Sequence, residues 1–464
     1  MSDSSNQATP EHNSLIAGQG TLGPLVRLAT PVVMEQLLVM MVMMVDVYLV
    51  GRYIVGEAEL AAVGLIAYTL WLLSNVFELV CSGTTAVVAR CIGAGNRAEA
   101  RRIANQSLIP GVVLAAVVVV IGLTMTPFLV GLMRLREDAA ALAISYLDYI
   151  WPVIPLIMLE RVGIACLRAS GNMIIVFLVM AVVNLVNVLL STALVVGWFG
   201  LPELGWDGVA IGTAAAHVTG GVLTLLLMSR GYAGLGWSWK FLRPDAERIR
   251  RILRIGIPGG ADVLSVIGCH MAFLAIINDL GDLAAAAHNV ALRLESMAYL
   301  PAAGLTVAAT TLTGQFLGAG DRQRAARCLV VACMIGSVVL MAVGVVFWFA
   351  GYYLAIVFVD ATNSEVVTLA AELLKIAAYG MLPLALQMIL SGGLRGAGDT
   401  RWPMVFTIVS MLGLRLPLAY VLSSPRHYDM GVVGAWWAML LDMTVRCWLI
   451  VWRFRHGGWQ RTKV

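Results

Sequence analysis

Residues 173–199 read MIIVFLVMAVVNLVNVLLSTALVVGWF, without one Asp, Glu, Lys or Arg. About 20 apolar residues suffice for a helix to cross the hydrocarbon core of a bilayer, so this run predicts a spanning helix. Its polar members Asn184, Asn187 and Ser191 recur at i, i+3 and i+7, which is one helical stripe. Comparable runs recur at about 24–50, 58–85, 104–132, 138–166, 207–229, 257–280, 283–312, 326–351, 365–392, 402–424 and 430–452. Together they predict twelve spans. A β-barrel would instead show alternating segments of about 10 residues. The expected fold class is an all-α polytopic membrane protein.

Composition agrees. The 464 residues are 60% hydrophobic and 12% charged, whereas soluble domains carry about 25% charged residues. An ordinary soluble enzyme, a disordered chain and a secreted disulfide scaffold are excluded. A net charge of +4 is too small and too dispersed to argue for nucleic acid. The seven cysteines form no CxxC pair and read as small apolar side chains, with no metal site expected. No GxxxxGK[ST], HExxH or GxSxG motif occurs, so neither an enzyme nor a cofactor is expected.

Orientation follows from the basic residues of the short loops. With the N-terminus inside, 22 of the 31 fall in inner segments, five in outer segments and four within spans. Both termini are therefore expected in the cytoplasm, with residues 1–23 and 456–464 as tails.

The chain also repeats itself. Gly93-Ala94-Gly95-Asn96-Arg97 returns as Gly318-Ala319-Gly320-Asp321-Arg322, and Leu167-Arg168-Ala169-Ser170-Gly171-Asn172 as Leu394-Arg395-Gly396-Ala397-Gly398-Asp399. Pro31 returns as Pro258. Offsets of 225 to 227 predict two parallel six-helix bundles, residues 24–230 and 257–455, related by a pseudo-two-fold. Residues 231–256 form a cytoplasmic linker whose basic amphipathic stretch is expected on the inner membrane surface. The Gly-Ala-Gly segments are expected as turns beyond helix ends.

At these residues the chain resembles the multidrug and toxic compound extrusion (MATE) transporters. The resemblance is carried by Val45-Asp46-Val47-Tyr48-Leu49-Val50-Gly51-Arg52, Ala58-Glu59-Leu60-Ala61-Ala62-Val63-Gly64, Ala287-His288-Asn289-Val290-Ala291-Leu292-Arg293-Leu294-Glu295-Ser296 and Ala308-Ala309-Thr310-Thr311-Leu312 with Gly314-Gln315. Leu394-Arg395-Gly396-Ala397-Gly398-Asp399-Thr400-Arg401 is similar to the family's most recognisable stretch. The resemblance implies a V-shaped pair of bundles. It also implies an inner-membrane antiporter exporting organic, often cationic compounds against H⁺ or Na⁺. It is closer to the DinF-like branch, through Asp46 and the pair Asn184 and Asn187. The acids of the NorM-like branch are replaced by Val266 and Leu384, and the second aspartate of the DinF-like pattern by Ser191.

A charge at mid-bilayer costs about 2.5–3.5 kcal/mol on insertion scales, so each needs a reason. Asp46 is the candidate coupling residue of the first half, with Asn184, Asn187 and Ser191 as its shell, against a snorkelling alternative. Glu35 shares its helix face, about 16 Å away, and reads as structural beside Arg27. In the second half His288, Glu295 and Tyr299 fall on one face, with Asp262 in the preceding span. They read either as a proton relay or as a network in which Arg293 pairs with Glu295 or Asp262. Asp442 and Arg446 read as an i, i+4 bridge, and Glu160 and Arg161 are expected to pair with other spans. Met34, Met40, Met41, Met43 and Met44 suit a promiscuous lining or simple filler, and Pro24 and Pro31 favour a bend in span 1.

The leading expectation is secondary efflux of small organic cations by a single chain working as a monomer in the bilayer. Flipping of lipid-linked precursors is the alternative within the superfamily, disfavoured because few Arg residues lie in spans. A non-transporting membrane scaffold is the alternative outside it.

Overall fold

In hydrocarbon no water meets a backbone N–H or C=O, and only helices or closed barrels satisfy both. The apolar runs fold accordingly as helices. The computed structural model describes residues 18, 20–54, 57–132, 136–358, 364–424, 427–462 and 464, apart from the side chains of residues 43, 46, 47, 57, 60, 61, 129, 132 and 199. The helices are α1 Leu22–Leu49, α2 Glu57–Gly93, α3 Arg97–Gln106, α4 Leu108–Leu132, α5 Glu137–Ile150, α6 Ile154–Ala169, α7 Met173–Val196 and α8 Trp206–Ser229. They continue with α9 Ala246–Asn278, α10 Asp282–Gly318, α11 Arg322–Ile356, α12 Ser364–Gly396, α13 Arg401–Ser410, α14 Leu416–Ser423 and α15 Gly431–His456. No strand occurs among the described residues.

Eleven stretches among the described residues are long and apolar enough to cross a membrane. The stretch missing from the expected twelve is α10, whose 37 residues are ample in length. His288, Asn289, Arg293, Glu295 and the threonines at 310, 311 and 313 dilute its apolar character.

By internal packing the described chain forms two units, one of residues 34–256 and one of residues 20–33 with 257–464. The larger apolar core of the second unit gathers Leu340, Phe347, Leu374, Met381 and Trp436. In both units helices also meet through glycine, as Gly396 does against the Thr310 carbonyl in the second. A Cβ on Gly208 would meet the Leu194 backbone at 2.9 Å, and one on Gly221 would meet the Leu156 carbonyl oxygen at 2.9 Å. Such close approach is how helices associate where lipid offers no hydrophobic drive.

The repeated glycine segments are turns. Gly95 and Gly320 have φ of +73° and +81°, and each is followed by a helix cap. The Asn96 side chain accepts from the Glu99 N–H at 3.0 Å, and Asp321 accepts from the Arg324 N–H at 2.8 Å. Gly171 and Gly398 share the positive φ, at +86° and +80°, without a side-chain cap on the helix that follows.

The basic amphipathic stretch of the linker is no separate element. Nothing breaks the helix before Pro258, and residues 246–256 open the 33-residue α9. The linker ahead of it is held on α3. Gln106 donates to the Phe241 and Arg243 carbonyls and accepts from the Asp245 N–H at 2.9 Å. Arg248 makes a two-pronged contact with Glu99, at 2.9 and 3.0 Å.

Candidate functional sites in the two units

In the first unit the stripe read from the sequence exists. Asn184, Asn187 and Ser191 are all buried, and they project from α7. Gly212 of α8 lies so close that a Cβ there would sit 2.1 Å from Ser191 Oγ. That approach lets Asn187 Nδ2 donate to Thr213 Oγ1 at 3.1 Å. Tyr146 of α5 donates its hydroxyl to the same oxygen at 2.9 Å. Three atoms of the stripe, Asn184 Nδ2, Asn187 Oδ1 and Ser191 Oγ, are buried without a hydrogen-bond partner. A buried polar group left unpaired costs about 1–3 kcal/mol, so a set of three has the character of a receiving site. Asp46 belongs to α1 one turn before its closing π-helical turn, but its side chain lies outside the described residues. Thr213 and Tyr146 escaped sequence reading because a hydroxyl in an apolar span carries no periodic signal.

Glu35 is buried. Its carboxylate meets Arg168 Nη2 at 2.6 Å, a partner 133 residues away in sequence rather than the nearby Arg27 of the sequence reading. Glu160 pairs with His217 of α8 and Arg161 donates to Ser74 of α2, so both do reach other spans. Of the methionines in α1, Met34, Met41 and Met44 are exposed.

In the second unit the buried charge centres on Asp442 of α15. It accepts from Arg446 at 3.0 Å along its own helix and from Arg415 at 2.9 Å across helices, and Ser410 donates to its other oxygen. Arg415 closes the π-helical turn Met411–Arg415 between α13 and α14. Pro417 follows within the first turn of α14 and lacks the N–H that a regular helix needs. Interruptions of this kind are frequent at functional sites. Glu295 is 1% exposed, and it and Tyr299 are within electrostatic reach of the Arg415 guanidinium.

The expected four-residue relay is divided by the structure. Glu295 and Tyr299 gather near Arg415, but His288 accepts at Nδ1 from the Trp436 indole N–H at 3.2 Å, between the rings of Trp436 and Phe273. Asp262 lies apart, 3.9 Å from Arg395. Arg293 sits on the exposed side of α10, and the carboxylates are answered instead by Arg415 and Arg395. The i, i+4 bridge of Asp442 and Arg446 forms as expected, within a larger cluster. An Arg inside an apolar run next to Pro417 was the legible sign of that cluster.

A family model described as MatE matches the chain twice, at residues 31–192 and 258–421. A probable multidrug resistance protein NorM of Thermotoga maritima is 28% identical over 445 residues, covering 95% of this chain and 93% of the relative. A probable multidrug resistance protein YoeA of Bacillus subtilis is 23% identical, covering 94% and 93%. Among solved structures, an outward-facing multidrug resistance MATE family transporter of the MOP superfamily superposes with a TM-score of 0.88 at 21% identity, covering 99% of this chain and 100% of the other. A MOP superfamily transporter from Pyrococcus furiosus, whose binding pocket is described as having reverse polarity, gives the same figures. These structures share the fold.

Proposed function

Because the chain belongs to the MatE family of membrane transporters, we propose that it exports small organic, often cationic compounds by antiport with H⁺ or Na⁺. The names of its relatives, multidrug resistance proteins of bacteria, support efflux of several compounds across the bacterial plasma membrane. The exporter works as a single chain with both termini in the cytoplasm. Its two halves, residues 24–230 and 257–455 with the linker between them, provide alternating access.

The coupling residue is Asp46, served by the α7 stripe. The observation that carries this reading is the set of three buried, unpartnered polar atoms on Asn184, Asn187 and Ser191. A carboxylate or its proton supplies the partners this set lacks. Ion and substrate must favour different states, because a ligand with equal affinity for both shifts nothing. One charge crossing 100 mV is worth about 2.3 kcal/mol, equivalent to a substrate gradient of about 50-fold at ~1.4 kcal/mol per decade. Glu295 with Tyr299 is the corresponding candidate of the second half, and its buried position beside Arg415 favours it over His288 and Asp262.

The test is reconstitution in liposomes under a pH gradient, with proton flux read on adding a cationic dye, with and without Na⁺. The native chain is expected to dissipate the gradient and Asp46→Asn to fail. Full coupling in Asp46→Asn moves the site to Glu295, and a strict Na⁺ requirement replaces the proton as the driving ion.

A further inference from the structure

The first unit carries a polar helix face that neither the α7 stripe nor the buried ion pairs use. Tyr68, Trp71, Asn75, Glu78, Ser82 and Thr85 of α2 follow one another at alternating steps of three and four, which places them on one side of a helix. Trp71 and Glu78 are exposed, and the other four are half-buried. The rest of this stretch is mainly aliphatic, with Leu72, Leu73 and Val76 off that face. Glu78 lies at the middle of the 32-residue crossing stretch Ala62–Gly93.

A carboxylate at that depth pairs with a cation or borders a water-filled cavity. Glu78 makes no ion pair among the described residues, and Arg161 of α6 donates instead to Ser74, one turn away, at 3.4 Å. Asn75 donates to the Trp71 carbonyl at 2.7 Å and Ser82 to the Glu78 carbonyl at 2.8 Å, so neither side chain answers the carboxylate. Two turns earlier Tyr68 and Trp71 lie ring to ring at 5.7 Å, with Trp71 48% exposed. Gly64 continues the face, and nothing lies within 4 Å of a Cβ built on it, so the space there is open. Seven residues of helix set the indole and the carboxylate about 10 Å apart. An aromatic ring attracts a cation over its face, and the unanswered carboxylate attracts the same charge.

We propose that this face of α2 lines a water-filled route and that Trp71 and Glu78 form a binding station for organic cations on it. Glu78 acts as a fixed negative charge that draws cations in and turns organic anions away. The ligand class rests on the export reading above, whereas the water-filled route rests on the α2 face alone.

The test is thiol labelling of the full-length chain in lipid nanodiscs, and all seven native cysteines are buried, which keeps the background low. Ser82→Cys is treated with a cationic trimethylammonium and an anionic sulfonate methanethiosulfonate, with Asn75→Cys as the second variant if the first folds poorly. Val120→Cys on α4 is the control, because Val120 is 61% exposed in a helix without a charged residue and meets hydrocarbon. Ser82→Cys is expected to react and Val120→Cys to stay inert; equal inertness overturns the water-filled route. Residues four apart on a helix are about 5–6 Å apart, where one charge in water changes the local concentration of a monovalent ion about threefold. Adding Glu78→Gln is therefore expected to lower the ratio of cationic to anionic rate about tenfold, and an unchanged ratio overturns the role of Glu78. Tetraphenylphosphonium is expected to slow the labelling, and Trp71→Ala or Glu78→Gln to relieve that protection. No protection, or protection that survives both substitutions, overturns the cation station. None of these readouts requires transport, so a chain that shows them all yet moves no dye in liposomes overturns the export reading, which is a separate result.

Discussion

Glu35 and Arg168 meet at 2.6 Å in the first unit, and a shift of 227 residues along the sequence turns them into Asp262 and Arg395, which meet at 3.9 Å in the second. The same shift carries Pro31 to Pro258 and the start of the first family match to the start of the second. In both halves the acid follows the proline by four residues. In both halves the arginine sits in the last turn of its helix, where the helix dipole favours a cation. The two bonds are one device, present twice.

The two copies differ in strength, and that sets a first prediction. Glu35→Gln removes the carboxylate charge from the short buried contact with Arg168 and is expected to cost about 3 kcal/mol, the lower end of what breaking a buried pair costs. Asp262→Asn loosens a longer contact and is expected to cost about 1 kcal/mol or less. Thermal unfolding of the purified chain compares them. Equal losses, or no recovery in the swapped pair Glu35→Arg with Arg168→Glu, remove the ion-pair account.

Asp442 answers two arginines at once, so its loss is worse than the loss of either. Asp442→Asn leaves Arg415 and Arg446 facing one another in a buried site and is expected to cost about 3–5 kcal/mol. Arg446→Met leaves the Arg415 to Asp442 contact in place and is expected to cost clearly less. Yield and melting temperature in detergent rank the two, and the reverse ranking contradicts a cluster organised around Asp442.

Much of this was legible in the chain, for a physical reason. Spans, repeat and glycine turns announce themselves through apolar length and local spacing, as the run 173–199 and the positive φ of Gly95 and Gly320 illustrate. The shared face of Asn184, Asn187 and Ser191 is a property of one helix, and it too could be read. Partners across helices could not. Nothing local in the sequence directs Glu35 to Arg168 rather than Arg27, Glu160 to His217, or Asp442 to Arg415. The same spacing that aligned His288 with Glu295 says nothing about Trp436, which engages the histidine. The amphipathic linker stretch is helical, as its period indicates, but that period alone does not reveal that the helix continues into the next span.

Two aspartates outside the spans predict opposite responses to pH. Burial pushes the Asp399 carboxyl up from the ordinary aspartate value, against the pull of the Arg453 guanidinium that donates to it at 2.8 Å. A raised native value means stability that is fully present below the ordinary value and lost as pH rises through the raised one. Asp245 is held below the ordinary value, chiefly by the Arg248 backbone N–H. Its contribution is present above the ordinary value and lost as pH falls through the lowered one. Between roughly pH 3 and 6, Asp399→Asn should therefore remove a gain in melting temperature on acidification, and Asp245→Asn should remove a loss. Parallel melting curves of the two variants against the native chain carry the test, and the same sign of change in both contradicts it.

The α7 stripe stands or falls with the closeness of α8, and Gly212 measures that closeness. In Gly212→Ala the new Cβ would lie 2.1 Å from Ser191 Oγ and 2.7 Å from the Ser191 backbone nitrogen, and backbone cannot swing aside as a flexible side chain can. Overpacking of this kind costs about 1–3 kcal/mol. Separating the helices also stretches the 3.1 Å bond from Asn187 to Thr213, so transport should fall together with the melting temperature. Gly268→Ala is the matched control, because nothing lies within 4 Å of its new Cβ, and alanine in a helix gains up to about 1 kcal/mol over glycine. If Gly212→Ala transports dye as well as Gly268→Ala does, the packing of α8 on the stripe has no part in export.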